Sequence, residues 1–379
     1  MKRELRMGVL LVLALVTAGA LGEEPPATAE VAKPAFEQLV VTIEPFGLSR
    51  NGQIEQLRFE SNGRCWYKVE GREAVRNIPA RNGAVFDHTL SADRIRRLNK
   101  LLQDTKWLTA EGAEGRATHT HPTIIRLMLK RDGKQQSIVC EGRRPEPYAA
   151  LLHELEGVAA QERRIYLHDY VSGEDGVRAW QEIGRELAAL RVEPSAKSPF
   201  HIDYERYWPI ARRTIRDFHG KPDDELLPAV RLAGHFQRKS ELTFLHRMAH
   251  DRSSHLRQEV AWALGKIHDQ ESLPVLVSMM SAPGTRREVG FELIQWGDAA
   301  VPDIVKLIEL STQEKLEERE HVTGEDMIRA YLEHWDKLSK PIHPEVVTAV
   351  RKALEAKNPA NGSLRTTYHV QFLKQIPMN

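Results

Sequence analysis

Cysteine is nearly absent from this 379-residue chain, with only Cys65 and Cys140, so no dense disulfide framework organises it. Net charge is nearly absent too: 54 Lys and Arg stand against 53 Asp and Glu, which excludes a global field suited to a polyanion such as nucleic acid. After residue 22 there is no apolar run of the roughly 20 residues a membrane helix needs, so no membrane span is expected in the mature chain. The basic pairs Arg163-Arg164, Arg212-Arg213 and Arg286-Arg287 are isolated and read as solvated helix faces. HExxH, CxxC, GxSxG and phosphate-binding glycine loops are all missing, and both cysteines sit in strand-like stretches, so no catalytic constellation, metal site or cofactor is expected.

What is present begins at the N-terminus. Lys2, Arg3 and Arg6 precede the uncharged run Met7 to Leu21, followed by Glu23-Glu24-Pro25-Pro26, the order of a secretory signal spanning residues 1–22. An uncleaved anchor is the competing reading, because the run lies at the lower edge of spanning length. Export places the protein in the periplasm or outside the cell, where oxidation permits a Cys65–Cys140 disulfide. Two buried free thiols are the alternative. Residues 23–35, rich in Pro, Ala and Glu, read as a flexible spacer.

Residues 36–170 read as an α+β domain, an antiparallel sheet with helices on one face. Gln38–Pro45, Ile54–Glu60 and Cys65–Val69 alternate apolar and polar residues, and Ser61-Asn62-Gly63-Arg64 supplies the turn between the last two. Phe86–Leu90 leads into a helix capped by Ser91, with Ile95, Leu98, Leu101 and Leu102 on one stripe up to Trp107. Thr123–Leu129 and Gln136–Cys140 flank the turn Arg131-Asp132-Gly133-Lys134, and Tyr148–Tyr166 is helical. The order is three strands, a helix, two strands and a helix. It resembles small exported bacterial α+β modules and implies no activity.

Residues 171–221 read as a helical linker and cap: a helix over Val177–Leu190, a Pro194–Pro199 break, then Tyr204–Phe218 closed by Gly220. The aromatics Phe200, Tyr204, Tyr207 and Trp208 are expected to seal the first repeat.

The chain then repeats itself. EVAWALGKIHD (Glu259–Asp269) matches EVGFELIQWGD (Glu288–Asp298) at an offset of 29, and AVRLAGHFQ (Ala229–Gln237) matches VAWALGKIH (Val260–His268) at 31, with Gly234 falling on Gly265. Each unit has a first helix of small and apolar residues and a polar turn. In the second and third units the second helix opens on proline, at Pro274 and Pro302. This resembles the HEAT-like repeat of the phycobilisome-lyase subtype, carried by Arg257, Val260, Ala263, Leu264, Gly265, Ile267, Leu273, Pro274, Leu276 and Met279. The first unit departs at Phe236 and lacks the proline, and the third has Ile294 in place of the glycine. The resemblance implies an all-α helical-repeat solenoid over 222–310. Residues 311–357, with the charged run Glu314 to Glu320, read as capping helices, and 358–379 as a tail.

Function follows as an expectation: a non-enzymatic exported scaffold that binds another cell-envelope or secreted protein. Arg231, Arg257, Glu259, Arg286, Arg287 and Glu288, near the first helices, are the candidate contacts on a concave face. The alternative implied by the resemblance is an accessory or catalytic subunit of a lyase-type enzyme acting on a small molecule. His119 and His121 could offer two imidazoles on one face of a strand, and His246, His250, Asp251 and His255 stand near helical spacing. Both groups read better as polar surface, because a full ligand set is missing.

Overall fold

A computed structural model describes residues 34–44, 53–71, 84–104, 123–141, 148–171, 173–192, 202–251, 253–311, 318–334 and 343–355. The signal and tail, Trp107, His119, His121, Pro194–Phe200 and Glu314–Glu317 lie outside the described residues. The chain divides into two compact units, residues 1–159 and 160–379.

The first unit holds six strands, β1 (Gln38–Glu44), β2 (Gln53–Glu60), β3 (Arg64–Gly71), β4 (Ala84–Thr89), β5 (Ile124–Arg131) and β6 (Lys134–Glu141), all antiparallel in the order β4-β3-β2-β1-β5-β6. The segment Phe86–Leu90, read from the sequence only as a lead into the helix, lies largely in a full fourth strand, Ala84–Thr89. Strand register puts one apolar set on one side: Leu39 stands between Phe59 and Leu129, and Val41 between Leu57 and Leu127. All six side chains are buried. The β5–β6 hairpin closes through Asp132 and Gly133, both with positive φ (50° and 70°), the left-handed pair a two-residue turn requires and the reason Gly follows Asp here.

Helix α1 (Ala92–Asp104) buries Ile95, Leu98 and Leu102, and α2 (Ala149–Tyr166) buries Leu151, Leu152, Leu155 and Val158. An ion pair hidden from water joins them. Arg94 of α1 bonds Glu154 of α2, both about 2% exposed, and the half-exposed Arg97 approaches the other carboxylate oxygen at 2.6 Å.

The expected Cys65–Cys140 disulfide is corrected: the two cysteines are not bridged, and both are buried. Cys65 lies on β3 and Cys140 on β6, and three strands separate them. Four inter-strand steps of about 4.8 Å put them roughly 19 Å apart, far beyond the ~7 Å Cα limit for a bridge. Burial pushes the Cys140 thiol up from its ordinary pKa, so it stays protonated.

The second unit is a row of helices, α3 (Glu174–Val192), α4 (Trp208–Arg216), α5 (Asp223–His235), α6 (Leu242–Met248), α7 (Ser254–Ile267), α8 (Leu273–Met279), α9 (Arg286–Trp296), α10 (Val301–Leu310), α11 (Glu318–His334) and α12 (Pro344–Glu355). The first helices α3, α5, α7, α9 and α11 pack each on the next, and each second helix α4, α6, α8 and α10 leans on the first helix that follows it. The stacking therefore runs beyond 222–310 in both directions. The linker helix α3 and the charged helix α11 are members of the row, joined by packing rather than by repeat consensus. The unit boundary falls inside α2, ahead of residue 170, because Ile165 already belongs to the helical core.

Local chemistry sets the turns within each pair. Ser253 caps α7 by accepting from the Leu256 N–H at 3.3 Å, His268 ends it in the left-handed conformation (φ 53°), and Pro274 and Pro302 stand in the first turns of α8 and α10. The His268 ring then stacks on Trp296 at 4.3 Å. Ahead of the repeats, Tyr207 belongs to the core of the row, with Tyr204 and Trp208 packed against it. Tyr207 is fully buried, Gln161 holds both backbone groups of Asp203, and Arg206 forks onto Glu162 at 3.1 and 3.2 Å.

Candidate functional site: the helical-repeat surface

Repeat-matched positions carry matched bonds. Arg257 on α7 donates to the carbonyl of Asp251, six residues back at the end of the preceding second-helix segment (2.6 Å), and also to Pro283 (2.9 Å). Arg286, at the same place one repeat later, donates to the carbonyl of Met280, again six residues back (3.0 Å), and meets Asp326 at 3.5 Å. The last carbonyls of a helix have no intrahelical donor. A guanidinium reaching back from the next helix satisfies them and closes the turn between repeats.

Arg231 performs a sideways version of the same task. It donates to the Gly184 carbonyl of α3 (2.7 Å) and to Glu259 of α7 (2.8 Å), linking three consecutive first helices. Four of the six sequence-predicted contacts, Arg231, Arg257, Glu259 and Arg286, are thus internal ties, and Glu259 and Arg286 are buried. Arg287 stays 66% exposed while paired with Glu333 at 2.6 Å, and Glu288 is half-buried. Only these last two reach the surface in a form that a partner could use. Arg257→Ala is expected to cost about 1–2 kcal/mol, since two carbonyls lose a charged donor. Arg287→Ala is expected to stay within about 0.5 kcal/mol, as exposed pairs do. Urea unfolding of the two variants measures the difference, and equal costs would remove the structural role assigned to the reach-back arginine.

The histidines are dispersed. His246 bonds the Ser272 hydroxyl at 3.1 Å, and His250 and His255 are exposed on different elements. Asp251 accepts instead from the Ser253 N–H at 2.9 Å. No group of three or more metal-ligating side chains occurs among the described residues. Nor is any described helix long and apolar enough to cross a membrane.

Two polar clusters hold the start of the row. Arg164 forks onto Glu186 at 2.6 and 3.0 Å beside the buried Tyr207. Burial pushes the phenols of Tyr207 and Tyr204 up, the latter to about 12, so neither ionises at neutral pH. In the π-helical turn Leu167–Val171, Asp169 accepts from Arg213 at 2.6 Å and pairs with His168 at 2.8 Å. Burial alone would raise its carboxyl, but these two partners bring it below its ordinary value.

The second helices also turn an outer face to solvent. On α4 that face is Pro209, Arg212, Arg213 and Arg216; on α6 it is Thr243 and Arg247. On α8 it is Pro274 and Ser278, and on α10 Pro302, Lys306 and Glu309. Opposite sides of the same helices, such as Ile210, Ala211 and Ile215 or Phe244, Leu245 and Met248, are buried in the row. Charge is therefore concentrated at the α4–α6 end and falls to none on α8. Sequence reading passed over Arg212 and Arg216 because a basic pair on an amphipathic helix is an ordinary solvated face. Only the stacking shows which neighbouring helix adds to it.

No curated protein matches the chain. Residues 222–289, running from the residue before α5 into α9, match the family model of HEAT repeats, and the match falls on this part of the row.

Proposed function

We propose that the protein is an exported scaffold whose helix row binds another cell-envelope or secreted protein, and that it catalyses no reaction of its own. The observation that carries this reading is the division of labour among polar side chains. Arg231, Arg257 and Arg286 fasten one helix to the next. On the outer faces of the second helices, by contrast, Arg212, Arg216, Thr243, Arg247, Ser278 and Lys306 stand in solvent with no tie to another helix among the described residues, Arg213 alone of the α4 arginines being held, by Asp169. A surface fixed from behind loses little conformational entropy when a partner docks, which favours binding without further contacts. Helical-repeat rows commonly serve this purpose. Export is supported by the basic, apolar and acidic order of the first residues, and the near balance of charge disfavours nucleic acid as the main partner.

A photo-crosslinking amino acid at Ser278 or Lys306, on the outer faces of α8 and α10, tests the reading in cells making the full chain. A discrete adduct of one mass is expected from these positions and none from Ser137, on the sheet strand β6. Adducts at Ser137 alone, or at no position, would sink the proposal.

A further inference from the structure

Arginine is gathered on one end of the second-helix face. Helix α4 exposes Arg212, Arg213 and Arg216, and α6 exposes Arg247. Phe218, just after α4, meets Phe244 of α6 with ring centroids 5.4 Å apart, so the end of one helix lies against the other. Arg247 follows Phe244 by three residues, one helical turn. Of the four, Arg213 is held by Asp169. Among the described residues Arg212, Arg216 and Arg247 have neither an ion pair nor a side-chain hydrogen bond.

The acidic residues nearest in sequence are Asp217 after α4 and Glu241 and Asp251 on either side of α6, and among the described residues the cluster's one ion pair is Arg213 with Asp169. Arg212 and Arg216 stand one turn apart on α4, a like-charge spacing that costs a helix a few tenths of a kcal/mol by itself. Neither side chain repays that by packing, since both are exposed.

We infer that the outer face of α4 and α6 is the docking site for an acidic segment of the partner protein, an inference that rests on the scaffold reading above. Three features select that occupant. Every cation on these two outer faces is arginine and none is lysine, and the planar guanidinium fork matches carboxylates in a two-bonded geometry. The outer face of α4 offers Pro209 and arginines but no aliphatic or aromatic side chain to enter a lipid surface. A nine-residue helix is about 13 Å long, enough for a short run of Asp and Glu but too short for the many phosphate contacts that hold a nucleic acid.

The test uses the full chain and a short fluorescein-labelled peptide alternating Glu and Gly, read by fluorescence anisotropy. Binding should weaken steeply with salt and vanish for the same peptide with Gln in place of Glu. Arg212→Glu with Arg216→Glu should weaken it by about tenfold or more. Arg178→Glu with Arg185→Glu, an equal charge change at exposed sites on α3, should leave it nearly unaltered. Circular dichroism checks that both variants keep their helices. Equal loss in both variants, no binding of the Glu peptide, or preferential binding of phosphatidylglycerol vesicles or of a single-stranded oligonucleotide would each overturn the assignment. The two readings separate by crosslinking: a partner adduct at Lys306 that survives in Arg212→Glu/Arg216→Glu refutes this location while leaving the scaffold intact.

Discussion

Replacing Arg94 by alanine should lower the unfolding free energy of the sheet unit by about 3 kcal/mol, near the lower end of what breaking a buried ion pair costs. The Arg94 guanidinium and the Glu154 carboxylate are both about 2% exposed, and without Arg94 the carboxylate keeps, among the described residues, the half-exposed Arg97 as its ion-pair partner. Such a pair need not be net stabilising, because withdrawing two charges from water is expensive even when they meet. The double variant Arg94→Met with Glu154→Met is therefore expected to recover most of the loss, and Glu154→Gln to behave like the single break. Urea unfolding followed by the near-ultraviolet signal of the sheet aromatics distinguishes these outcomes. A loss below about 1 kcal/mol for Arg94→Ala would mean that water reaches the pair.

Gly234→Ala provides a test of sign. Helix propensity alone favours alanine over glycine by about 1 kcal/mol in a helix interior. In the row, however, a methyl group on Gly234 would stand 2.7 Å from the Trp262 ring and 2.8 Å from the Ala263 Cα, a backbone atom that cannot turn aside. Helices α5 and α7 would have to separate, at a cost of about 1–3 kcal/mol for overpacking and more for Gly234→Val. A thermal or urea midpoint below that of the parent is expected for both. An increase in stability for the alanine variant would show that the seam is loose and the close approach unnecessary.

Much of this fold can be read along the chain because the signals are local. Alternation in Leu57, Phe59, Cys65 and Tyr67 gave the inner face of the sheet, Asp132-Gly133 gave a hairpin turn, and Pro274 and Pro302 gave helix starts. The HEAT-like units were legible through the spacing of Gly234 and Gly265. Their extension to α3 and α11 was not, since those helices join the row through packing around residues such as Gly184 and Ala330 that no repeat template marks. Four of the candidate contacts, Arg231, Arg257, Glu259 and Arg286, make internal bonds that were illegible for a related reason. Arg257 and Arg286 look like surface charges in a string, and only three dimensions show a guanidinium folding back to a carbonyl six residues earlier. The cysteine bridge failed on strand order: β1 and β5, far apart in sequence, are neighbours, and that places Cys65 and Cys140 towards opposite margins of one sheet.

The lean of each second helix onto the first helix that follows gives the row a direction. If α9 loosens, α8 loses the wall at its back; if α7 loosens, the same happens to α6, so damage travels towards earlier residues more readily than towards later ones. A molecule seated across α4 and α6 would feel the integrity of α5 and α7 behind them, and its grip would report on helices it never touches.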